Sequence, residues 1–479
     1  MSNIRYICIS DLHLGADNSL LTHLGSKIGE VDPHYASPVL KELANCIREL
    51  VRQNSGVVKP TLILNGDLLE LALAEDNVAL MAFERFIELM FPLDSDHLFD
   101  RQIIFNPGNH DHHLWETARE TQYVEFLEGK RSAKAVGELP PPWHTTKMHD
   151  PDLVSCRLLN AVIGRHSHLA ERGVHVGTVY PNLALESGDG ERRVIFSHGH
   201  FVESVYMLMS AIGDFVFPNR KMPERIWEVE AENFAWIDFF WSALGRSGAV
   251  GKDIEQIYDM ALVPKARGDF IRQLARAGGR QWSRRWPKLG EFLSLFFVPF
   301  ISMELKHLGA LEKRQPGEVL TRHAIRGLKA YIEGPLARQI QEECRDSTRA
   351  QTTFVFGHTH KPFSASYQFE HFTKPVDVYN SGGWVVDTIQ TESAHGGALV
   401  LADADLNVAS VRMYNETDNH GSPVKVETIN GRENPLSTHL VKIIDCEQEP
   451  WLSFSRVAGE NAGVYHQRFQ DRLNLVKTS

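Results

Sequence analysis

Short apolar runs alternate with amphipathic segments through the first third of the chain. Residues 4–10, 61–64 and 102–105 are continuous apolar runs, and their length favours buried strands. Residues 38–54 and 77–91 instead repeat apolar side chains at helical spacing. The order strand, helix, strand, helix, strand predicts a largely parallel sheet that is covered by helices.

Each of these predicted strands ends in a turn that carries polar side chains. The turns are Asp11-Leu12-His13, Asn65-Gly66-Asp67 and Asn106-Pro107-Gly108-Asn109-His110-Asp111. Ligands of open parallel sheets bind beyond the carboxyl ends of the strands. The pattern therefore predicts a functional site at that edge of the sheet.

The same arrangement returns later in the chain. Residues 174–185 and 192–196 predict strands, the second of which ends at Ser197-His198-Gly199-His200, and residues 352–356 predict a strand that ends at Gly357-His358-Thr359-His360. Further strands are predicted at 365–372, 376–379, 398–402 and 408–414, whereas 201–350 has helical periodicity. We expect a discontinuous α/β domain at 1–200 and 351–430, a helical insertion or cap at 201–350, and a tail at 431–479.

The polar turns together supply a set of metal ligands. Two divalent ions about 3.5–4 Å apart need a shared carboxylate and further nitrogen or oxygen ligands. We predict Asp67 as the bridge. The other predicted ligands are Asp11, His13 and His360 at one ion and Asn109, His198 and His358 at the other. Imidazole, carboxylate and amide ligands without thiolate favour Mn, Fe or Zn over Mg or Ca, and Mn²⁺ is our first expectation.

The five polar turns resemble, in order, the signature blocks of the calcineurin-like metallophosphoesterases. This resemblance implies a four-layer α/β/β/α sandwich with a dinuclear metal centre. Three of the blocks are also similar to those of the UDP-2,3-diacylglucosamine hydrolases. Those enzymes usually carry Arg at the position of His110, so the subfamily is not assigned.

The expected reaction is hydrolysis of a phosphate mono- or diester by a hydroxide that bridges the two ions. His110 is the predicted general acid, and Asp111 is its predicted orienting partner. His200 is interpreted as a neighbour of the site, and Glu70 as a carboxylate in the first turn of a helix, where the dipole favours it. His112 and His113 are predicted to begin a helix and to face solvent or the cleft.

Composition limits the alternatives. The chain has 479 residues, a net charge of −11 and five cysteines without metal-type pairing. These features, with no signal peptide and no apolar run of roughly 20 residues, favour a cytoplasmic enzyme in a reducing compartment. The acidic charge makes nucleic acid an unexpected partner. A nuclease with the same centre and a catalytically silent scaffold are kept as alternatives.

A basic stretch at 265–288 precedes an apolar aromatic stretch at 292–301. Basic residues followed by aromatic ones are typical of segments that contact an anionic lipid surface. The span 265–301 is therefore a candidate for a peripheral membrane or lipid contact. A buried helix beside a solvated charged segment is the interpretation that we favour, because such runs are common in helical cores.

Overall fold

The structure is a computed structural model that describes residues 3–55, 58–93, 97–129, 138–243, 319–344, 349–388, 391–417 and 421–478. Within these residues two sheets lie face to face and helices cover their outer faces, which confirms the predicted α/β/β/α sandwich. The basic and aromatic stretches at 265–301 lie outside the described residues, so the lipid contact stays a prediction.

The strands in chain order are β1 (Ile4–Ile9), β2 (Thr22–Leu24), β3 (Val31–Ala36), β4 (Thr61–Leu64), β5 (Gln102–Phe105), β6 (Val154–Ser155), β7 (His175–Thr178), β8 (Asn182–Glu186), β9 (Arg192–Ser197), β10 (Gln351–Phe356), β11 (Phe363–Tyr367), β12 (Val376–Asn380), β13 (Gly396–Asp403), β14 (Val408–Asn415) and β15 (Lys425–Glu427). The larger described sheet has the order β15-β14-β13-β1-β4-β5-β7-β6 and the smaller one β11-β12-β10-β9-β8, while β2 and β3 form a separate hairpin. Strands β1, β4, β5 and β7 run parallel, as do β9, β10 and β12.

The helices are α1 (Pro38–Arg52), α2 (Asp76–Met90), α3 (His112–Gly129), α4 (Arg157–Ile163), α5 (Ser167–Glu171), α6 (Leu208–Val216) and α7 (Ile226–Ile237), followed by Arg322–Tyr331, Ala337–Glu343, Pro435–Ile443 and Trp451–Thr478. Short 3₁₀ turns lie at His200–Val202, Ser204–Met207 and Ile429–Gly431, and π turns lie at Asp238–Ser242 and Ile332–Leu336. Ser37 caps α1, since its hydroxyl oxygen accepts a hydrogen bond from the Leu40 amide at 3.0 Å.

Three apolar clusters fill the spaces between the layers. Cys8, Ile63, Phe196 and Val355 belong to the cluster between the two sheets. The outer face of the larger sheet packs on α1, α2 and the helix Trp451–Thr478. The outer face of the smaller sheet packs on described helices of the segment 201–350, through residues such as Val229 and Leu328. The described part of that segment therefore supplies the helical layer of the smaller sheet.

The structure corrects two expectations about local elements. Residues 174–185 were expected to form one strand, but they form β7 and β8, which belong to different sheets. The chain leaves the larger sheet at Tyr180-Pro181, because a proline cannot donate to a sheet ladder. The segment from 431, which has no clear pattern, contains two helices, and Trp451 and Phe454 of the second are buried in the core.

Among the described residues, no helix is both long enough and apolar enough to cross a membrane.

Candidate metal centre

The five polar turns meet at one edge of the sandwich. The turns after β1, β4 and β5 come from the larger sheet, and those after β9 and β10 come from the smaller sheet. Two asparagines join the sheets there. Asn65 Nδ2 donates to the Ser197 carbonyl at 2.8 Å, and Asn106 Nδ2 donates to Asn65 Oδ1 at 3.0 Å. The site is thus built where both sheets are held together by buried hydrogen bonds.

The backbone at this edge is bent into an uncommon conformation. Five predicted ligands have positive φ angles without being glycine: Asp11 (52°), His13 (44°), Asp67 (47°), His358 (66°) and His360 (57°). This region costs roughly 1–3 kcal/mol for a residue with a Cβ, and it recurs at functional sites. The bends aim the side chains of successive strands at the same place.

Glycines beside the predicted ligands leave room for their carboxylates and imidazoles. A Cβ on Gly108 would lie 2.2 Å from Asp67 Oδ1, and a Cβ on Gly357 would lie 2.0 Å from Asp11 Oδ2. Gly66 has a φ of 89°, and a Cβ there would lie 2.2 Å from His198 Nδ1. Each of these positions therefore requires glycine.

Six of the seven predicted ligands fall into two buried groups. Asp11, His13 and His360 form the first, and Asp67, His198 and His358 form the second, with the donor atoms of each group within 4.8 Å of one another. The seventh, Asn109, is fully buried, and its Oδ1 lies 3.1 Å from His198 Nε2.

Asp67 lies between the two groups. Its Oδ2 is 3.6 Å from His13 Nε2 in the first group and 3.3 Å from His198 Nε2 in the second. In the first group, His360 Nε2 lies 3.3 Å from Asp11 Oδ1. Asp67 therefore contacts one imidazole of each group.

Partners of Nδ1 turn three of the imidazoles so that Nε2 faces the site. His13 Nδ1 bonds Glu70 Oε2 at 2.8 Å, His360 Nδ1 bonds Asp387 Oδ2, and His198 Nδ1 contacts the Asn65 carbonyl at 3.2 Å. A histidine whose Nδ1–H is held by an oxygen presents the Nε2 lone pair to a metal. His13 Nε2 is buried and has no hydrogen bond to any described residue, so its lone pair is available. These residues fit divalent ions.

The environment of Glu70 differs from the one predicted from the sequence. It is not in the first turn of a helix, since α2 begins at Asp76. Its carboxylate is buried and joins two histidines, with Oε2 at 2.8 Å from His13 Nδ1 and Oε1 at 2.9 Å from His110 Nδ1. The available signal was its position three residues after Asp67, in a stretch without helical periodicity.

The predicted orienting role of Asp111 is wrong. Its carboxylate accepts backbone hydrogen bonds from Gly108 at 2.7 Å and from Leu68 at 2.7 Å, and so fixes the turns around the site. The His110 ring bonds Glu70 instead. His110 Nε2 is buried and has no hydrogen bond within the described residues. Glu70 therefore orients His110, and Asp111 orients the backbone.

Burial and mutual charges shift the pKa values of these groups. Burial by itself would raise the pKa of the Asp67 carboxyl, but the imidazoles of His198, His110 and His13 hold that pKa well below its usual range. Burial lowers the pKa of His13, and the Glu70 hydrogen bond only partly opposes this. Carboxylate anions and neutral imidazoles are the forms that bind metal ions. For Asp67 and His13 these shifts favour the metal-binding form.

The environment of His112 also differs from expectation, whereas that of His200 agrees with it. His112 does begin α3, but it is fully buried and does not face solvent. His112 Nε2 lies 2.8 Å from Glu230 Oε1 on α7, and His113 Nδ1 lies 3.0 Å from Asp238 Oδ1. His200 lies beside His198, with ring centroids 5.6 Å apart, and belongs to neither metal-type group of the described residues. It is a neighbour of the site, as expected.

Glu203 is a further acidic side chain that sequence reasoning missed. It is buried, and its Oε2 lies 3.7 Å from His358 Nε2. It follows β9 in an irregular segment, where no periodic pattern marks it.

Comparison with known proteins agrees with this geometry. A family model described as calcineurin-like phosphoesterase matches residues 4–243. The matched span contains Asp11, His13, Asp67, Asn109 and His198, whereas the His358–His360 turn lies beyond it. No curated protein matches the chain.

Proposed function

Because the chain belongs to the calcineurin-like phosphoesterase family, we propose that it hydrolyses phosphate esters with the help of two divalent metal ions. The position of Asp67 carries the proposal. A single carboxylate lies within 3.6 Å of an imidazole from each of two buried ligand groups, which is the arrangement that a pair of ions requires.

The chain itself provides the ligands for both ions. Asp11, His13, Asp67 and His360 would hold one, and Asp67, Asn109, His198 and His358 would hold the other. Nitrogen and oxygen donors without sulfur suit Mn²⁺, with Fe or Zn as alternatives. When bound, the ions would supply Lewis-acid activation of water and charge neutralisation at the phosphoryl oxygens.

His110 would act on the leaving group. Its Nδ1 is held by the Glu70 carboxylate at 2.9 Å, which fixes the orientation of the ring. Its Nε2 is the nitrogen left to donate a proton to the leaving oxygen. His13 and His110 share Glu70, and their ring centroids lie 4.7 Å apart, so one carboxylate positions a metal ligand and the acid together.

A hydrolysis panel tests the proposal. Purified protein with added Mn²⁺ is assayed on bis-p-nitrophenyl phosphate and p-nitrophenyl phosphate, then on a UDP-linked lipid, a cyclic nucleotide and DNA. We expect metal-dependent release of product from at least one ester, and loss of release after treatment with a chelator. DNA cleavage as the dominant activity would favour the nuclease alternative.

Asp67→Asn provides the matched variant, with Asp189→Asn in an exposed hairpin turn as its control. We expect Asp67→Asn to lose bound metal by elemental analysis and to lose hydrolysis, while Asp189→Asn keeps both. Full metal occupancy in Asp67→Asn would contradict the bridge. No hydrolysis of any ester by the wild-type protein would favour a silent scaffold.

A further inference from the structure

A series of buried polar side chains leads from helix α7 to the metal centre. Its members are Glu230 on α7, Tyr180 between β7 and β8, and His200 beside the ligand His198, all of them at most 1% exposed. Tyr180 Oη donates to Glu230 Oε2 at 2.9 Å and lies 3.2 Å from His200 Nε2. These three side chains thus connect a helix of the segment 201–350 with the edge of the sandwich that carries the candidate metal centre.

The proton positions follow from the partners. A tyrosine hydroxyl has one hydrogen, and Tyr180 gives it to the Glu230 carboxylate, which can only accept. The contact between Tyr180 and His200 is then a hydrogen bond only if His200 Nε2 carries the hydrogen. Glu230 therefore selects the tautomer of His200 that keeps the lone pair on Nδ1.

Ring stacking fixes the position of Tyr180. The Tyr180 ring stacks on Trp115 on one side, with centroids 5.3 Å apart, and on His200, with centroids 6.2 Å apart. Its backbone is held as well, because Tyr180 N donates to Thr146 Oγ1 at 2.9 Å. Because Tyr180 is held in this way, its ring cannot move to compensate for a change at Glu230. Such a change would therefore alter the hydrogen bond between Tyr180 and His200.

Glu230 is itself held by a buried ion pair. Burial would lower the pKa of His112, but the Glu230 carboxylate and Asp238 raise it to about 10, so His112 is a cation near neutral pH. Glu116 lies close to this pair, yet its carboxylate is bound by Arg119 through contacts of 2.9 and 2.6 Å. We therefore interpret His112, Glu116 and Glu230 as an ionic network rather than a third metal site.

We propose that Glu230 is a positioning residue of the metal centre, acting through Tyr180 and His200 on the ligand His198. This inference rests on the proposed function, since it requires that His198 binds metal. Its consequence is that docking of α7 and binding of metal are coupled. Because such coupling is reciprocal, metal must stabilise α7 as much as docked α7 favours metal.

Tyr180→Phe is the sharpest test, because it removes the hydroxyl and keeps the stacked ring. Glu230→Gln is the second variant, and it keeps the size of the side chain. Glu232→Gln is the control. Glu232 lies on the same helix and pairs with Arg220 at 2.5 Å, but none of its described contacts involves Tyr180 or His200.

Binding of Mn²⁺ is measured by calorimetric titration of the metal-free proteins, and hydrogen exchange of residues 226–237 is measured with and without Mn²⁺. We expect Tyr180→Phe and Glu230→Gln to weaken Mn²⁺ binding by about fivefold or more, a magnitude typical of coupled sites. We also expect Mn²⁺ to slow exchange in α7 of the wild type and of Glu232→Gln, and to lose this effect in Tyr180→Phe.

Circular dichroism and thermal melting show whether each variant is folded. Folded Tyr180→Phe with wild-type affinity, while the wild type binds two ions, would overturn this inference and leave the proposed function standing. Equal weakening of Mn²⁺ binding in Glu232→Gln would also overturn it, because a general loss of helix stability would then explain the effect. A wild-type protein that binds no Mn²⁺ would refute the proposed function, and this inference with it.

Discussion

Replacing Glu70 with glutamine should weaken metal binding by His13 and leave the hydrogen bond of His110 intact. Glu70 Oε1 accepts hydrogen bonds from the Ala72 amide at 3.1 Å, from the Leu73 amide at 3.1 Å and from His110 Nδ1 at 2.9 Å. Oε2 accepts from His13 Nδ1 at 2.8 Å. With three donors at Oε1, the amide oxygen of glutamine must take that position, and its NH₂ group then faces His13.

An NH₂ group cannot accept a hydrogen bond from His13 Nδ1–H. His13 would therefore move its hydrogen to Nε2, and Nε2 would no longer bind metal. Loss of the partner that orients a metal-bound histidine typically costs 10–100-fold in affinity, which corresponds to about 1.4–2.7 kcal/mol. We expect Glu70→Gln to weaken one of the two Mn²⁺ sites by this amount and to leave the other near its wild-type affinity.

Calorimetric titration of the metal-free protein measures both sites, and turnover is then measured at saturating Mn²⁺. The control is Glu88→Gln on α2, where Glu88 is partly exposed and pairs with Arg85 at 3.0 Å. Turnover should recover at high Mn²⁺, because His110 keeps its bond to the glutamine oxygen. Two sites of wild-type affinity in Glu70→Gln would refute the reasoning, and equal weakening of both sites would refute the assignment to His13.

Three further outcomes are expected. His110→Ala should leave metal content near normal and reduce turnover by roughly 10²–10⁴-fold, and unchanged turnover would remove His110 from acid catalysis. Gly108→Ala should displace the Asp67 carboxylate, since the new Cβ would lie 2.2 Å from Oδ1. Elemental analysis of Gly108→Ala should show a lower metal content than the wild type. A wild-type metal content in this variant would contradict the close contact between position 108 and the Asp67 carboxylate. The ion pair of His112, whose pKa rises from 6.5 to about 10, should stabilise the protein fully below about pH 6.5 and progressively less as pH rises through 10. The melting temperature of the wild type should therefore exceed that of His112→Gln by more at pH 6 than at pH 10, and a constant difference would refute this.

The placement of the predicted ligands could be inferred from the sequence because parallel strands end at a common edge. Asp11, Asp67 and Asn109 each follow an apolar run, so their convergence needed only the strand order. The environment of Glu70 depends instead on two imidazoles from different turns. His112 and Glu230 are 118 residues apart in sequence, and no local pattern relates them.

The break at residues 180–181 is a different case, because its signal was present. The run 174–185 is apolar enough for one long strand, but Pro181 lies inside it. Proline in such a run favours the end of a strand over its continuation. Apolar continuity indicated burial correctly, and the missing amide hydrogen decided where the chain changes sheets.

The position of β1 has a consequence for synthesis of the protein. β1 pairs with β4 on one side and with β13 on the other, and Ile4 lies opposite Asp403. At translation rates of roughly 5–20 residues per second, the nascent chain has an open β1 edge for roughly 20–80 seconds before β13 emerges. Unpaired strand edges recruit other strands. Fragments that end before residue 396 should therefore depend on chaperones or aggregate, even where they reach residue 360 and contain all five polar turns.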